Sequence, residues 1–373
     1  MPQAFLFDFL CTIPLAKNNS LIIRAGPRAL AHIREHGLRA QDIEIIPGAA
    51  GGPKALGLHG LDVALFGEWL PGAPRVRHLI GSSIGAWRFA SAMRSNAADA
   101  LRHFSAVYAA QHYPPPISKK YVTQYCRGMM HELFDGAADE ILGNAHFRLS
   151  IITARGRGML ARETSRTAAN FVAAAVANSV SRSHLNRFVS RTVFYDSREQ
   201  PPVFNQANSF DKFHTDHIVL TAQNLSLALL ASGSIPLVLE GVTDIPDAPR
   251  GTYWDGGIID YHIHWPYNRA KGLVLYPHFT DKIIPGWLDK SLPWREAKGE
   301  WLDNVVLVSP SADYLASLPR GKMPDRSDFK KFIHDTAARM RDWRTAIAES
   351  ERLGQEFLDL TRGDNISPHI QPL

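Results

Sequence analysis

The stretch Val76-Arg77-His78-Leu79-Ile80-Gly81-Ser82-Ser83-Ile84-Gly85-Ala86-Trp87 decides the fold. Residues 76–80 read as a buried strand, and from Ile84 the apolar positions Trp87, Phe89, Ala90 and Met93 follow helical spacing. Between the two lies G-x-S-x-G, with Ser83 in the central slot and Ser82 in a variable one. A serine on so tight a strand-to-helix turn has a strained backbone, and bulky neighbours would collide there. Gly81 and Gly85 remove that obstacle, and the turn projects the Ser83 hydroxyl outward at a helix N-terminus.

The same order recurs on either side. Upstream, Gly26-Pro27 opens a helix ending near Gly37, with proline in the first turn and glycine as terminator. Residues 43–46 read as a strand entering the turn Gly48-Ala49-Ala50-Gly51-Gly52, and Pro53 starts a helix that Pro71-Gly72 stops. Downstream, 149–153 and 305–308 are strand candidates, 171–180 is apolar and alanine-rich, and 225–231 is a helix ended by Gly233 and Pro236. Strands alternating with helices predict an α/β layered fold whose sheet is at least partly parallel. Ile333, Met340, Trp343, Ile347 and Phe357 recur at helical spacing, which predicts one long helix over 329–360 packed on the body. The expected organisation is a leader and short helix over 1–40, a catalytic domain over 41–320 and a C-terminal helical extension over 321–373.

Composition narrows the function classes. The chain has 373 residues, 45% hydrophobic and 21% charged, with a net charge of +5. That supports a large core and a weak attraction to anionic surfaces, but no long Lys/Arg block or nucleic-acid module is present. The two cysteines, Cys11 and Cys126, cannot build a disulfide framework, and no Cys/His spacing suits zinc. A reducing cytosol is the default expectation, although a disulfide-poor secreted chain would look the same. Residues 4–15 are fairly apolar, but Asp8 and Pro14 interrupt them and no Lys or Arg precedes them, unlike a signal peptide. No run approaches the roughly 20 apolar residues of a spanning helix, so any membrane contact should be peripheral.

Two further segments carry chemistry. Acyl transfer builds negative charge on a carbonyl oxygen, and fixed backbone N–H donors stabilise it by several kcal/mol. Gly51 and Gly52 at a strand end allow the backbone to approach substrate without a Cβ in the way. A phosphate-cradling loop over 48–54 is the competing reading; Lys54 suits it, but Pro53 and Ala55 stand where Gly and Ser/Thr are needed. The second segment is Asp255-Gly256-Gly257. A serine hydroxyl is a poor nucleophile unless a base takes its proton, and a well-placed carboxylate can serve. Gly256 and Gly257 would let that loop approach the serine turn closely.

A glycine-rich turn, then G-x-S-x-G, then a late D-G-G resembles the patatin-like phospholipase family in that order. Ala231-Ser232-Gly233-Ser234-Ile235-Pro236 is similar to the Ala-Ser-x-x-x-Pro stretch that precedes the family's aspartate. The resemblance spans residues 43–266 and implies a three-layer α/β fold. By position it implies Ser83 as nucleophile, Asp255 as general base and the Gly51 and Gly52 amides as an oxyanion hole, with no metal and no cofactor. It implies a lipid or other acyl ester as substrate. The turn departs from the family's G-G-G-x-R-G: Ala50 and Ala55 replace glycines, and Lys54 stands for arginine without its planar fork.

Other readings stand beside this one. His262 or His264 could act as the base of a histidine triad, or join Asp260 in a metal site. A lipid-binding scaffold of the same fold would need no chemistry. The arginines between 148 and 192 could form a basic rim for anionic lipid head groups, with 171–180 supplying apolar contact, or simply a solvated surface.

Overall fold

Among the described residues the apolar runs assemble into one 10-stranded sheet. Its strands are β1 (Leu21–Ala25), β2 (Ile43–Gly48), β3 (Arg77–Ser82), β4 (Phe147–Gly156), β5 (Val189–Tyr195), β6 (Thr215–Val219), β7 (Tyr253–Asp255), β8 (Leu273–Pro277), β9 (Val305–Pro310) and β10 (Ile370–Pro372). The spatial order is β10-β1-β9-β8-β2-β3-β4-β5-β6, with β7 added on β4. The computed structural model describes residues 19–204, 210–295, 297, 299–363 and 366–373; the apolar stretch 4–15 lies outside them.

The centre, β9-β8-β2-β3-β4, is parallel, whereas β1 and β5 run antiparallel to the strands that flank it. Every residue of β3, β8 and β9 is buried, so both faces of the central strands are covered. That is why these segments read as continuous apolar runs and not as alternating ones. The Ile84–Ala92 helix packs on β2, β3 and β4, Leu225–Ser232 packs on β4 and β7, and Pro27–His36 packs on β1, β9 and β10. The mixed α/β sheet flanked by helices agrees with the fold expected from sequence.

Local expectations hold where the signals are strong. The Pro27–His36 helix has proline in its first turn, and Gly37 ends it at φ 74°. Two expectations fail. Leu21–Ala25 falls in the segment assigned to a leader and short helix, yet it is a sheet strand paired with both β9 and β10. The long C-terminal helix is instead three: Ser327–Lys331, Thr336–Glu349 and Glu351–Arg362. The first break arises because Asp335 caps a new helix by accepting from Ala338 N at 2.9 Å. At the second, the Ser350 hydroxyl accepts from Gly60 N at 2.8 Å, drawing the chain onto the His59–Ala64 helix.

The helix that follows Ser83 is tied down by charge. Arg88 donates to both carboxylate oxygens of Asp62 at 2.7 and 2.5 Å, and both residues are buried. A planar bidentate pair fixes orientation as well as distance. Arg88→Met would leave Asp62 buried without its cation, a loss of about 3–5 kcal/mol. We expect a clearly lower urea midpoint with an unchanged slope; a midpoint like that of the parent would mean that the pair contributes nothing net.

Candidate active site

Strand register brings the two decisive residues together. On one edge of β4, residues 150–156 pair with β5. The other edge is shared: β3 occupies it as far as Ser82 opposite Ile152, and β7 continues from Asp255 opposite Thr153. The residue after Ser82 therefore emerges beside the end of β7. Ser83 Oγ donates to Asp255 Oδ2 at 2.7 Å, across 172 residues of sequence.

Ser83 has φ 55° and ψ −128°, a strained left-handed conformation at the start of the Ile84–Ala92 helix. The surrounding glycines are required by contact. A Cβ on Gly85 would stand 2.0 Å from the Gly48 carbonyl oxygen, and one on Gly256 would stand 2.2 Å from the Ile152 carbonyl oxygen. Gly81 and Gly257 lie similarly close to Ala86 and Ala50. The stretch containing Ser232 and Ser234 clamps both partners: Ser83 N donates to Ser232 Oγ at 2.8 Å, and Asp255 N donates to the Ser234 carbonyl at 2.9 Å. Ser232 in turn donates to the Ile152 carbonyl at 2.7 Å.

Asp255 is held by more than the serine. Gly257 N donates to its Oδ1 at 2.7 Å, and Arg326 Nη2 lies 3.7 Å from its Oδ2. Burial pushes the Asp255 carboxyl above the usual carboxylate range; Arg326, the Ser83 hydroxyl and the Gly257 amide oppose that shift only in part. A carboxylate in this state is a better proton acceptor than a solvated one.

Gly51 and Gly52 follow β2, beside the same turn. Gly51 has an extended φ of 178°, and a Cβ there would stand 2.6 Å from the Phe279 ring. Gly52 has φ 57° and opens the short helix Gly52–Leu58. Among the described residues no protein acceptor takes the Gly51 or Gly52 N–H. Gly52 and Ser83 line one cavity of about 270 Å³, whose wall is largely apolar, with Trp87, Val122, Met129 and Leu239. The Ser83 amide, by contrast, is already engaged with Ser232.

The histidines are elsewhere. His262 Nδ1 accepts from Ile284 N at 2.9 Å, and its ring packs on Tyr261 and His278. His264 packs on Trp301, and burial lowers its pKa to about 4. Neither bonds to Ser83 or Asp255. Asp260 is consumed by Arg191, at 2.6 Å, and by Trp265. No group of His, Cys, Asp and Glu suited to a metal ion occurs among the described residues. Lys54 places its ammonium 4.6 Å from the centre of the Phe279 ring, facing an aromatic wall, and Pro53 beside it has no N–H to offer a phosphate.

Arg326 was not found by sequence reasoning. It reaches the site from just before the Ser327–Lys331 helix and carries no motif; only its place in the fold reveals it. Lys290 adds to the positive surroundings. Its pKa is depressed to about 7, first by desolvation and then by Lys54 and Arg326. Arg326→Met would remove the cation that favours ionised Asp255, so the acid limb of any activity that needs that carboxylate should move to higher pH. A loss of about tenfold in kcat/KM, equivalent to about 1.4 kcal/mol, is expected near the limb. An unmoved pH profile would confine Arg326 to packing.

No family model and no curated protein matches the chain. Two solved structures show a distant likeness. One is VipD from Legionella pneumophila, at 12% identity and TM-score 0.31, with 70% of this chain covering 54% of that one. The other is human GIVD cytosolic phospholipase A2, at 10% identity and TM-score 0.32, with 92% of this chain covering 63% of that one. The chain thus spans less than two thirds of either.

Proposed function

We propose that the chain hydrolyses carboxylic esters of lipids, with Ser83 as nucleophile and Asp255 as general base. The observation that supports this best is the 2.7 Å hydrogen bond from Ser83 Oγ to Asp255 Oδ2, on a strained turn that opens into an apolar cavity.

The steps follow from the groups present. Asp255 accepts the hydroxyl proton as Ser83 Oγ bonds to the acyl carbon, and the carbonyl oxygen takes the displaced electron pair. The Gly51 and Gly52 amides are the donors available to that oxyanion. As the carbonyl re-forms, the bond to the leaving alkoxide breaks and Asp255 returns its proton there. The acyl-enzyme is then cleaved by water, which gives a proton to Asp255, adds to the acyl carbon and releases Ser83 with a proton restored. The cavity of about 270 Å³ offers an apolar wall for the acyl chain. On this reading residues 41–320 are the catalytic unit, and the segment 321–373 contributes Arg326 to it.

The test combines fluorophosphonate labelling with turnover of a p-nitrophenyl ester, for the parent chain and for Ser83→Ala and Asp255→Asn. Labelling that persists in Ser83→Ala, or a parent that neither labels nor turns over ester, would overturn the proposal.

A further inference from the structure

Most of the large apolar side chains that are exposed among the described residues fall on a few segments linked to one another and to the rim of the cavity. The Thr167–Val180 helix exposes Val172, Val176 and Val180, which lie in one stripe at a spacing of four; Val180 is 73% exposed. Asn170 on the same helix donates to the Met159 carbonyl at 2.7 Å, placing exposed Met159 beside its N-terminal half. At the other end, Arg295 donates to the Asn178 carbonyl at 3.0 Å, which brings in Trp294, 71% exposed.

The link to the site runs through Glu163. It pairs with Lys119 and accepts from Gly241 N at 2.9 Å, joining the start of the valine helix to both segments that carry the cavity rim. Ile117 and Val238 line the cavity and are themselves exposed, as is Leu237. Thr123 Oγ1 accepts from Glu240 N at 2.8 Å and holds those two rim segments together.

Charge completes the pattern and corrects the sequence reading of the arginines between 148 and 192. Several of them are internal ties: Arg155 pairs with Asp216, Arg182 with Asp289, and Arg191 with Asp211 and Asp260, while Arg148 and Arg157 bond to carbonyl oxygens. Arg162, Arg166 and Arg187 are exposed and have no ion-pair partner among the described residues. Arg166 is the N-cap of the valine helix, whose first turn has no acid. A cation there opposes the helix dipole, so helix stability does not account for Arg166.

We propose that this face is a docking surface for anionic lipid membranes. The valine stripe and Trp294 enter the head-group boundary, while Arg162, Arg166 and Arg187 meet lipid phosphates. The rim residues Ile117, Leu237 and Val238 then face the bilayer, so an acyl ester can pass to Ser83 without crossing water. The last step rests on the proposed hydrolase reading; the docking does not.

The full chain is tested by sedimentation with vesicles of phosphatidylcholine alone and of phosphatidylcholine with phosphatidylglycerol. The parent and Ser83→Ala should bind the mixed vesicles equally and the neutral ones far more weakly. Val172→Asp/Val176→Asp and Arg162→Glu/Arg166→Glu should each lose at least about tenfold in binding to the mixed vesicles. These positions are exposed, so turnover of a soluble p-nitrophenyl ester should stay at the parent level and report intact folding. Parent-level vesicle binding by both double variants, or no binding by the parent, would overturn the proposal. So would a parent dimer in sedimentation velocity that the valine variant converts to monomer, which would assign the face to a second copy of the chain. Vesicle binding is read without turnover, so a failure of the hydrolase reading would leave this result interpretable.

Discussion

Ser83→Ala should abolish fluorophosphonate labelling and lower ester turnover by about 10⁴-fold or more. The estimate follows from what a serine nucleophile contributes when its turn, its base and its oxyanion donors are left in place. The substitution deletes one oxygen from a turn whose strain the backbone already carries: alanine at φ 55° meets the same steric cost as serine. The protein should therefore fold normally, and the loss would belong to chemistry. Ser82→Ala is the matched control. Its hydroxyl is buried with no hydrogen-bond partner, facing the loop after Asp255 and away from the cavity. Turnover near the parent level in Ser82→Ala together with its loss in Ser83→Ala would identify the nucleophile; the reverse pattern would reject the geometry described here.

Asp255→Asn should lower kcat/KM by about 10² to 10⁴-fold, the usual contribution of a positioned general base. Asparagine keeps the shape, and its carbonyl oxygen can still accept from Gly257 N, but it cannot take a proton from Ser83. The pH profile separates this cause from a loss of packing. Burial first, offset in part by Arg326, Ser83 and Gly257, raises the Asp255 carboxyl above its ordinary value. Activity should fall as pH drops through that raised value, and the residual activity of Asp255→Asn should lack the acid limb. Stability should move the opposite way. A carboxyl whose pKa is higher folded than unfolded favours its protonated form on folding, so its contribution is lost as pH rises through the folded pKa. At neutral pH the neutral amide removes that penalty, and the Tm of Asp255→Asn should equal or exceed that of the parent. A lower Tm with a retained acid limb would argue for a structural aspartate.

The parts of this site that were legible in sequence were those whose chemistry restricts residue type. Ser83 needs a strained turn, so glycines bracket it; Asp255 must pass close to β4 and the serine turn, so glycines follow it. Both constraints leave letters in the chain. The central strands were legible too, because burial on both faces leaves unbroken apolar runs. Other strands left weaker marks. β6 is an edge strand of mixed exposure, β7 and β10 have three residues each, and β5 hides its pattern behind the buried Arg191. Arg326 was invisible because a cation acting through space needs no particular neighbours. The Ala231–Pro236 stretch could be matched by resemblance, but its physical work, a Ser232 hydroxyl gripping the amide of Ser83, required the fold.

The pairing of β1 with β10, reinforced by the Leu373 amide donating to the Ala25 carbonyl at 3.0 Å, has a consequence for how the molecule comes into being. Synthesis delivers Ser83 first, Asp255 later and Arg326 later still, and the strand that seals the sheet edge comes after them all. A nascent chain thus carries Ser83 and Asp255 before the cation beside Asp255 has been made. Until both that arginine and β10 have been added, the charge arrangement around Asp255 is unfinished and the outer edge of β1 has no partner strand.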